Sequence, residues 1–249
     1  MKKPNPIVYS IVIPAYQEGM YLENTLSELY NYLKSTELFE QTELVIVSAD
    51  STDSTHEIAE SWRNKFNHAN ILRPGVKVGK GRDLRAGMLA AKGDYILFMD
   101  ADGATPLHHI KPFFDLLESG EVDIVIGSRS LTKIHDKIPR KLMSLATNTL
   151  IRILIDRSVS DSQCGFKAFT GKARDIIFSR SVLLGWGIDF EILSIAKAHN
   201  QKVAQIPVND WADPKGENGL AGESKAAAAT RTLKELFKVK QNLIKGRYK

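Results

Sequence analysis

The sequence lacks any long uninterrupted run of apolar residues. A transmembrane helix needs about 20 predominantly apolar residues in succession, and no stretch of the 249-residue chain has that character. Its first residues, Met1-Lys-Lys-Pro-Asn-Pro, also lack the apolar segment of a secretory signal. We therefore expect a protein that stays in the cytoplasm.

Cysteine and, near the end, acidic residues are also scarce. Cys164 is the single cysteine, which excludes an internal disulfide and a cysteine zinc cluster and fits a reducing compartment. From Ser224 onward Glu235 is the only acidic residue among many Lys and Arg. Such a segment favours an anionic partner, either nucleic acid or membrane phosphate. Phe237 and Tyr248 are the only aromatic residues in this segment and form no series of stacking residues between the basic ones, so we expect a membrane surface and no nucleic acid.

Apolar strand patterns alternate with helical patterns along the first half of the chain. The sequence predicts strands at 7–14, 43–47, 70–73, 95–99 and 123–127, and helices at 21–34, 55–65 and 81–92. A longer helix is predicted at 140–155, followed by an irregular segment at 160–169. This alternation predicts an α/β, Rossmann-like fold with a mostly parallel sheet and helices on both faces.

Polar segments follow three of the predicted strands. They begin at Pro14, Ser48 and Asp100. Ligands of open parallel sheets bind beyond the carboxyl ends of the strands, so these segments are expected to meet at one crevice. In the last of them, Asp100 and Asp102 are separated by one residue, and two such carboxylates can hold a hard divalent cation together with donor phosphates. The alternative is that the two side chains only shape a turn or cap the next helix.

The motifs, in their order, resemble those of family 2 glycosyltransferases. They are Pro14-Ala-Tyr-Gln-Glu18, Ser51-Thr-Asp-Ser-Thr55, Gly79-Lys-Gly81, Asp100-Ala-Asp-Gly-Ala-Thr-Pro106, Gly127-Ser-Arg129, Asp161-Ser-Gln-Cys-Gly-Phe-Lys167 and Trp186-Gly-Ile-Asp-Phe-Glu191. The resemblance covers roughly residues 7–225 and is closest to the branch that acts on dolichyl or polyprenyl phosphate, especially its glucosyl type. It implies a GT-A type catalytic domain at 1–225, followed by a basic amphipathic helix at 226–249.

The resemblance also implies roles for individual residues on the donor side. The residues that would bind the nucleotide sugar are Pro14, Tyr16, Glu18, Asp50, Lys80 and Asp100. Asp100 and Asp102 would hold Mg²⁺ or Mn²⁺, and Asp102 would take part in catalysis. The family usually has an acidic pair where this chain has Ser48 and Ala49. Asp50 would then have to supply the carboxylate that hydrogen-bonds to the nucleotide base. Among nucleotide sugars, a UDP sugar is the favoured donor.

On the acceptor side the resemblance implies a phosphate site made of three basic residues and a serine. Its members would be Arg129, Arg140, Ser144 and Lys225, and Arg129 would also take part in catalysis. Arg140 and Ser144 lie four positions apart, which on a helix places guanidinium and hydroxyl on one face. The alternative is a solvated helix face.

The acceptor decides the mechanism. A phosphate acceptor is already an anionic nucleophile and needs no strong base, and its oxygen would displace the diphosphate with inversion. A sugar hydroxyl, soluble or on a polysaccharide, needs a carboxylate base, for which Asp189 is the candidate. Asp189 could instead only cap a helix. A third alternative, a sugar nucleotidyltransferase, is disfavoured because the segment after the first strand is not a glycine-rich phosphate loop.

The C-terminal segment has an apolar helical stripe among basic residues. The stripe comprises Leu233, Leu236, Phe237, Leu243 and Ile244. This pattern is typical of a helix that lies at a membrane surface, here as a peripheral contact. The same pattern also suits a helix that packs its stripe against the domain.

Overall fold

The computed structural model describes residues 6–129, 161–208, 210–212 and 225–249. These residues form one seven-stranded sheet with the order β3-β2-β1-β4-β6-β5-β7. The strands are β1 (Tyr9–Ala15), β2 (Thr42–Ser48), β3 (His68–Leu72), β4 (Tyr95–Met99), β5 (Ile124–Ser128), β6 (Phe166–Thr170) and β7 (Val203–Pro207). The helices are α1 (Leu22–Ser35), α2 (Thr55–Ser61), α3 (Lys80–Ala90), α4 (Ile110–Glu118), α5 (Gly171–Arg180), α6 (Ile188–Ala198) and α7 (Lys225–Ile244).

Most strand pairs in the sheet are parallel. β1 pairs in parallel with β2 and β4, β2 with β3, and β5 with β7. Only β6 runs antiparallel to both of its neighbours, β4 and β5. The α/β fold with a mostly parallel sheet is therefore as the sequence predicts.

Helices cover both faces of the sheet, and alternate residues of β1 show this. Ile11 and Ile13 pack in the apolar cluster that contains α1 and α4, whereas Val12 packs in the cluster that contains α3, α5, α6 and α7. All three side chains are fully buried. A strand buried on both faces reads as a continuous apolar run, which is why β1 and β2 are visible in the sequence.

The predicted irregular segment at 160–169 is wrong at its end, where β6 begins at Phe166. β6 lies between β4 and β5 and joins the two halves of the sheet. The sequence does not predict this strand because it is short and because Lys167 lies among its apolar residues. In a central strand, the position of Lys167 is expected to be apolar. Lys167 is nevertheless fully buried.

The C-terminal helix α7 contributes to the same core as the sheet. Leu236, Val239 and Tyr248 are buried in the cluster of α3, α5 and α6. Each such apolar side chain contributes about 1.5–3 kcal/mol when it is fully removed from water. The division into a catalytic domain and a separate helix stays a prediction, but this packing ties the helix to the domain. Among the described residues, none of the helices is both long and apolar enough to cross a bilayer.

Candidate active site

Loops that follow β1 and β2 are joined by hydrogen bonds at the carboxyl edge of the sheet. The backbone N–H of Gln17 donates to Ser51 Oγ at 3.1 Å, that of Glu18 to Thr55 Oγ1 at 2.8 Å, and that of Gly19 to Asp53 Oδ2 at 2.9 Å. The two loops therefore form one polar wall, and the predicted residues Pro14, Tyr16 and Glu18 lie along it.

A third segment, residues 73–79, meets this wall at Asp50. The Asp50 N–H donates to the Gly75 carbonyl at 3.1 Å, and Arg73 lies 3.7 Å from the Asp50 carboxylate. Lys77 Nζ sits 3.7 Å from the centre of the Tyr16 ring. Asp50 is about half exposed, so its carboxylate faces solvent at the place where the nucleotide is expected.

Asp100 leaves the end of β4 and pairs with Lys80 at the start of α3. Lys80 Nζ donates to Asp100 Oδ1 at 2.6 Å. The other carboxylate oxygen lies against Gly165, where a Cβ atom would come within 1.8 Å of it. Only glycine at 165 therefore lets Asp100 occupy this position. Asp102 is two residues further on, and its Oδ1 accepts from the Ala104 N–H at 3.1 Å.

Lys80 is the cationic centre of this group. Burial alone would lower the pKa of its ammonium group, but the carboxylates of Asp100, Asp189 and Asp102 raise it well above the usual value. Lys80 is therefore charged at any physiological pH. Of the three carboxylates that the sequence predicts for metal binding or catalysis, Asp100 bonds directly to this ammonium group, and Asp102 and Asp189 act on it through their charge.

Arg129, at the end of β5, is held by Asp161. Its Nε and Nη2 donate to the two oxygens of Asp161 at 2.8 and 3.1 Å, and its backbone N–H donates to the same carboxylate at 3.0 Å. Burial would raise the pKa of Asp161, yet this two-pronged contact with Arg129 lowers it. The guanidinium group also lies 5.1 Å from the centre of the Trp211 ring. Burial would lower the pKa of Arg129, but the carboxylates of Asp161 and Asp100 raise it. Arg129 is thus a charged group held in a fixed position.

Asp189, the predicted base, lies in α6 and forms a buried ion pair. Its Oδ1 accepts from Lys167 Nζ at 2.5 Å, and the same Nζ donates to the Cys164 carbonyl at 2.6 Å. Lys167 is fully buried and Asp189 is 3% exposed. The pair therefore fixes the turn at 164–165 on which the position of Asp100 depends.

Three predicted acceptor residues give less information. Arg140 and Ser144 lie outside the described residues, as does the predicted helix at 140–155. Lys225 is the first residue of α7. Arg129 alone of the predicted phosphate ligands has a described side chain, and it lies near the carboxylates of the donor side.

Sequence reasoning missed the structural roles of Asp161, Gly165 and Lys167. All three lie in the Asp161-Ser-Gln-Cys-Gly-Phe-Lys167 motif, which the resemblance flagged without a role for each residue. The available signal was the single Lys within the apolar run of β6, since a charge at such a position requires a buried counter-charge.

The chemistry of Asp100 and Asp102 fits a divalent cation. Carboxylate oxygens suit Mg²⁺ and Mn²⁺, and Mg²⁺ is commonly held by one or two carboxylates with substrate phosphates and water completing its shell. Within the described parts of the chain, no group of three or more His, Cys, Asp or Glu side chains is placed to hold a metal. These residues are therefore suited to a metal shared with a phosphate ligand and not to a closed protein site.

The sequence of the chain is similar to those of named enzymes. A dolichyl-phosphate beta-glucosyltransferase of Trichomonas vaginalis is 35% identical over 216 residues, which cover 84% of this chain and 67% of that protein. An enzyme of the same description from Dictyostelium discoideum is 30% identical over 232 residues, covering 87% of this chain and 71% of that protein.

The fold has solved counterparts. The crystal structure of glucosyl-3-phosphoglycerate synthase from Mycobacterium tuberculosis with uridine diphosphate matches with a TM-score of 0.69, covering 94% of this chain and 80% of that chain at 19% identity. That likeness supports the GT-A type fold. The family model described as glycosyl transferase family 2 matches residues 10–176. The chain therefore belongs to glycosyl transferase family 2 and is a glycosyltransferase.

Proposed function

We propose that the protein transfers a sugar, with glucose favoured, from a UDP sugar to a dolichyl or polyprenyl phosphate, with inversion at the anomeric carbon. The reaction would take place at the cytoplasmic face of a membrane. The observation that carries the choice of acceptor is the buried ion pair between Lys167 and Asp189. Similarity to two dolichyl-phosphate beta-glucosyltransferases supports the same choice.

The ion pair argues against Asp189 as a general base. A base must accept a proton from the acceptor hydroxyl in the transition state. If Asp189 took that proton, the fully buried Lys167 ammonium group would lose its counter-charge, and an unpaired buried charge is costly. A phosphate monoester avoids this problem because it arrives already ionised.

On the donor side, each described residue has a role in holding or neutralising a diphosphate. Asp100 and Asp102 would hold Mg²⁺ or Mn²⁺, which when bound neutralises charge on the leaving diphosphate. Lys80 orients Asp100 through its 2.6 Å hydrogen bond and adds a positive charge at the same place. Tyr16, Glu18 and Asp50 would contact the nucleoside along the polar wall.

On the acceptor side, Arg129 presents a fixed cation. Asp161 orients the guanidinium group, which remains about one third exposed and can therefore meet a phosphate. Arg140, Ser144 and Lys225 would complete the phosphate site. In the reaction, a phosphate oxygen forms a bond to the anomeric carbon while the bond from that carbon to the diphosphate oxygen breaks. UDP leaves with the bonding electron pair, so no proton needs to be removed.

The direct test is to incubate the protein with Mn²⁺, a short polyprenyl phosphate and either UDP-glucose or GDP-mannose, and to search for a glycolipid by mass spectrometry. We expect a hexosyl polyprenyl phosphate with UDP-glucose. A parallel reaction offers the matching polyprenol and a soluble oligosaccharide as hydroxyl acceptors. Product from a hydroxyl acceptor, without product from the lipid phosphate, would overturn the acceptor assignment.

We also propose that α7 contacts the membrane surface. Leu236 and Val239 are buried, whereas Leu233, Phe237 and Ile244 are exposed. The helix therefore divides the predicted apolar stripe between the core and solvent. Three lysines, Lys234, Lys238 and Lys245, are exposed on the same helix and the turn after it. An exposed apolar strip with neighbouring lysines suits the interface of an anionic bilayer.

The membrane contact can be tested without removing the helix, whose inner face belongs to the core. We expect the paired change Leu233→Ser and Phe237→Ser to reduce co-sedimentation with vesicles that contain phosphatidylserine. Leu89→Ser is the matched control, because Leu89 is 43% exposed and Leu233 is 40% exposed. Equal binding by the paired variant and the control would contradict the contact.

A further inference from the structure

The loop at 182–187 lies directly against the turn that carries Lys80. The Leu184 carbonyl accepts from the backbone N–H of Gly81 at 3.0 Å and of Arg82 at 3.3 Å. This carbonyl therefore satisfies N–H groups in the first turn of α3, which have no partner within the helix. The half-exposed Trp186 ring lies 5.0 Å from Lys80 Nζ, so the same loop also flanks the ammonium group.

The contact between the two backbones leaves no room for side chains. A Cβ atom on Gly79 would come within 2.2 Å of the Leu184 carbonyl oxygen, and one on Gly81 within 2.5 Å of the Leu183 carbonyl oxygen. Both distances are far below van der Waals contact. Any shift of the 182–187 loop must therefore move the turn that holds Lys80.

The other side of the loop is held by the C-terminal part of the chain, first through Glu191. The buried Glu191 carboxylate accepts from the Val182 N–H at 3.0 Å and the Leu183 N–H at 2.9 Å. Tyr248 donates its hydroxyl to Glu191 Oε1 at 2.7 Å and in turn accepts from Asn242 at 3.0 Å. The second residue from the end of the sequence thus contacts the carboxylate that anchors the loop.

A second connection runs through Glu235 of α7. Gly187 packs against this side chain, since a Cβ atom on Gly187 would come within 2.8 Å of Glu235 Cβ and 3.1 Å of Glu235 Oε2. A Cβ atom on Gly185 would come within 2.2 Å of Glu235 Oε1, and its three nearest atoms all belong to Glu235. The backbone at Gly185 therefore packs directly against the Glu235 side chain and leaves no room for a Cβ atom.

We propose that Tyr248 and Glu235 are positioning residues of the donor site, which act through Glu191 and the 182–187 loop to hold the turn that carries Lys80. Lys80 must serve the donor for this, as in the proposed function, and donor binding then also depends on Tyr248 and Glu235. Lys80 itself bonds to Asp100. The path therefore runs from Tyr248 to the carboxylates expected to hold the metal.

The main test compares Tyr248→Phe with Tyr9→Phe. Tyr9 also donates its hydroxyl to a glutamate, Glu118, so both changes remove a tyrosine–glutamate hydrogen bond, but the Tyr9 bond does not involve the loop. Two measurements are made on each full-length variant: hydrogen exchange of the peptide covering 79–84, and binding of UDP in the presence of Mn²⁺ by calorimetry.

We expect Tyr248→Phe to speed exchange at the Gly81 and Arg82 amides and to weaken UDP binding by about two- to thirtyfold, the usual range for indirect coupling. Tyr9→Phe should do neither. Unchanged exchange, or faster exchange with unchanged UDP affinity, would overturn the proposal. If the wild-type protein binds GDP and not UDP, the proposal of a UDP sugar as donor is wrong. The two tyrosine variants are then compared by their binding of GDP. Binding of neither nucleotide would overturn both proposals.

A rescue experiment covers the case in which Tyr248→Phe fails to fold. Gly185→Ala should weaken UDP binding, because its methyl group collides with Glu235. In a Glu235→Ala background no atom beyond the neighbouring residues remains within 3.8 Å of this methyl position, so Gly185→Ala should then have little additional effect. Equal effects of Gly185→Ala in both backgrounds would show that Glu235 does not hold the loop.

Discussion

The ion pair between Lys167 and Asp189 allows the chemical and structural roles of Asp189 to be separated. Removing one partner of a buried ion pair costs about 3–5 kcal/mol, because the remaining charge is left uncompensated. For a domain of this length, about 2–4 °C of Tm corresponds to each kcal/mol. We therefore expect Lys167→Met and Asp189→Leu to lower the Tm by about 6–20 °C each.

The double variant should recover most of this loss. Met and Leu replace the two charges with apolar groups of similar size, and such replacements are often neutral. The cost that remains is the loss of the donor to the Cys164 carbonyl, about 1–3 kcal/mol for a buried acceptor without a partner. Thermal unfolding of the wild type, both single variants and the double variant gives the coupling free energy. If the loss of stability in the double variant equals the sum of the losses in the two single variants, the ion pair is not the reason why Asp189 is buried.

The same four proteins test the mechanism when glycolipid formation is measured at a temperature at which all are folded. With a lipid phosphate acceptor, we expect the double variant to retain activity in proportion to its recovered stability. Loss of a general base typically costs about 10²–10⁴-fold in rate. A double variant that is stable but loses activity to that extent would show that Asp189 acts chemically and that the proposed mechanism is wrong.

Four further predictions concern single features of the site. Gly165→Ala should raise the KM for the donor by up to about 100-fold, measured by initial rates, because its methyl group would displace Asp100; an unchanged KM would contradict this. Burial raises the pKa of the Cys164 thiol to about 11, so a thiol reagent at pH 8 should label it only in urea, and rapid labelling without urea would contradict the packing. Because Arg129 lowers the pKa of Asp161, the pair stabilises the fold above the unfolded pKa of about 3.9 and ceases to do so as the pH falls through the folded pKa. Arg129→Met should thus lower the urea midpoint most at pH 7 and least below about pH 4, and a difference independent of pH would refute this. Removing divalent metal with EDTA should abolish UDP binding in calorimetry, and full binding without metal would contradict the role of the Asp100 and Asp102 pair.

The parallel half of the sheet could be predicted from the sequence because its signals are local. β4 occurs at Tyr95–Met99, the range that the sequence predicts, and the apolar runs of β1 and β2 locate those strands to within two residues. The polar segments that follow β1, β2 and β4 are expected to meet, and hydrogen bonds join the segments after β1 and β2. Local composition was sufficient for β1, β2 and β4 because these strands are buried by helices on both faces of the sheet.

The antiparallel strand β6 could not be predicted in the same way, since its signal is tertiary. Lys167 is acceptable in a central strand only because Asp189, 22 positions away, supplies a counter-charge. The positions of Gly165 and Asp161 likewise depend on Asp100 and Arg129, which come from other strands. No window of sequence contains both members of these pairs. A motif can indicate that such residues matter, but only the folded chain shows what each one contacts.

The C-terminal helix shows why two interpretations of one pattern were both partly right. At 3.6 residues per turn, the predicted stripe is wider than a single contact surface. Leu236 is therefore buried against the domain while Phe237, the next residue, is 62% exposed. The periodicity of the sequence predicts that the helix has an apolar stripe. How much of that stripe is buried depends on the width of the domain surface against which the helix packs.

The charge balance of the site explains why a divalent cation is expected there. Three cationic side chains face four carboxylates, so the described group has a net charge of −1: Lys80, Arg129 and Lys167 against Asp100, Asp102, Asp161 and Asp189. A nucleoside diphosphate adds further negative charge and would be repelled by such a group. All three cations are already paired, Arg129 with Asp161, Lys167 with Asp189 and Lys80 with Asp100. The missing positive charge would have to come with the donor, and a divalent ion held by Asp100 and Asp102 would supply it beside the leaving diphosphate.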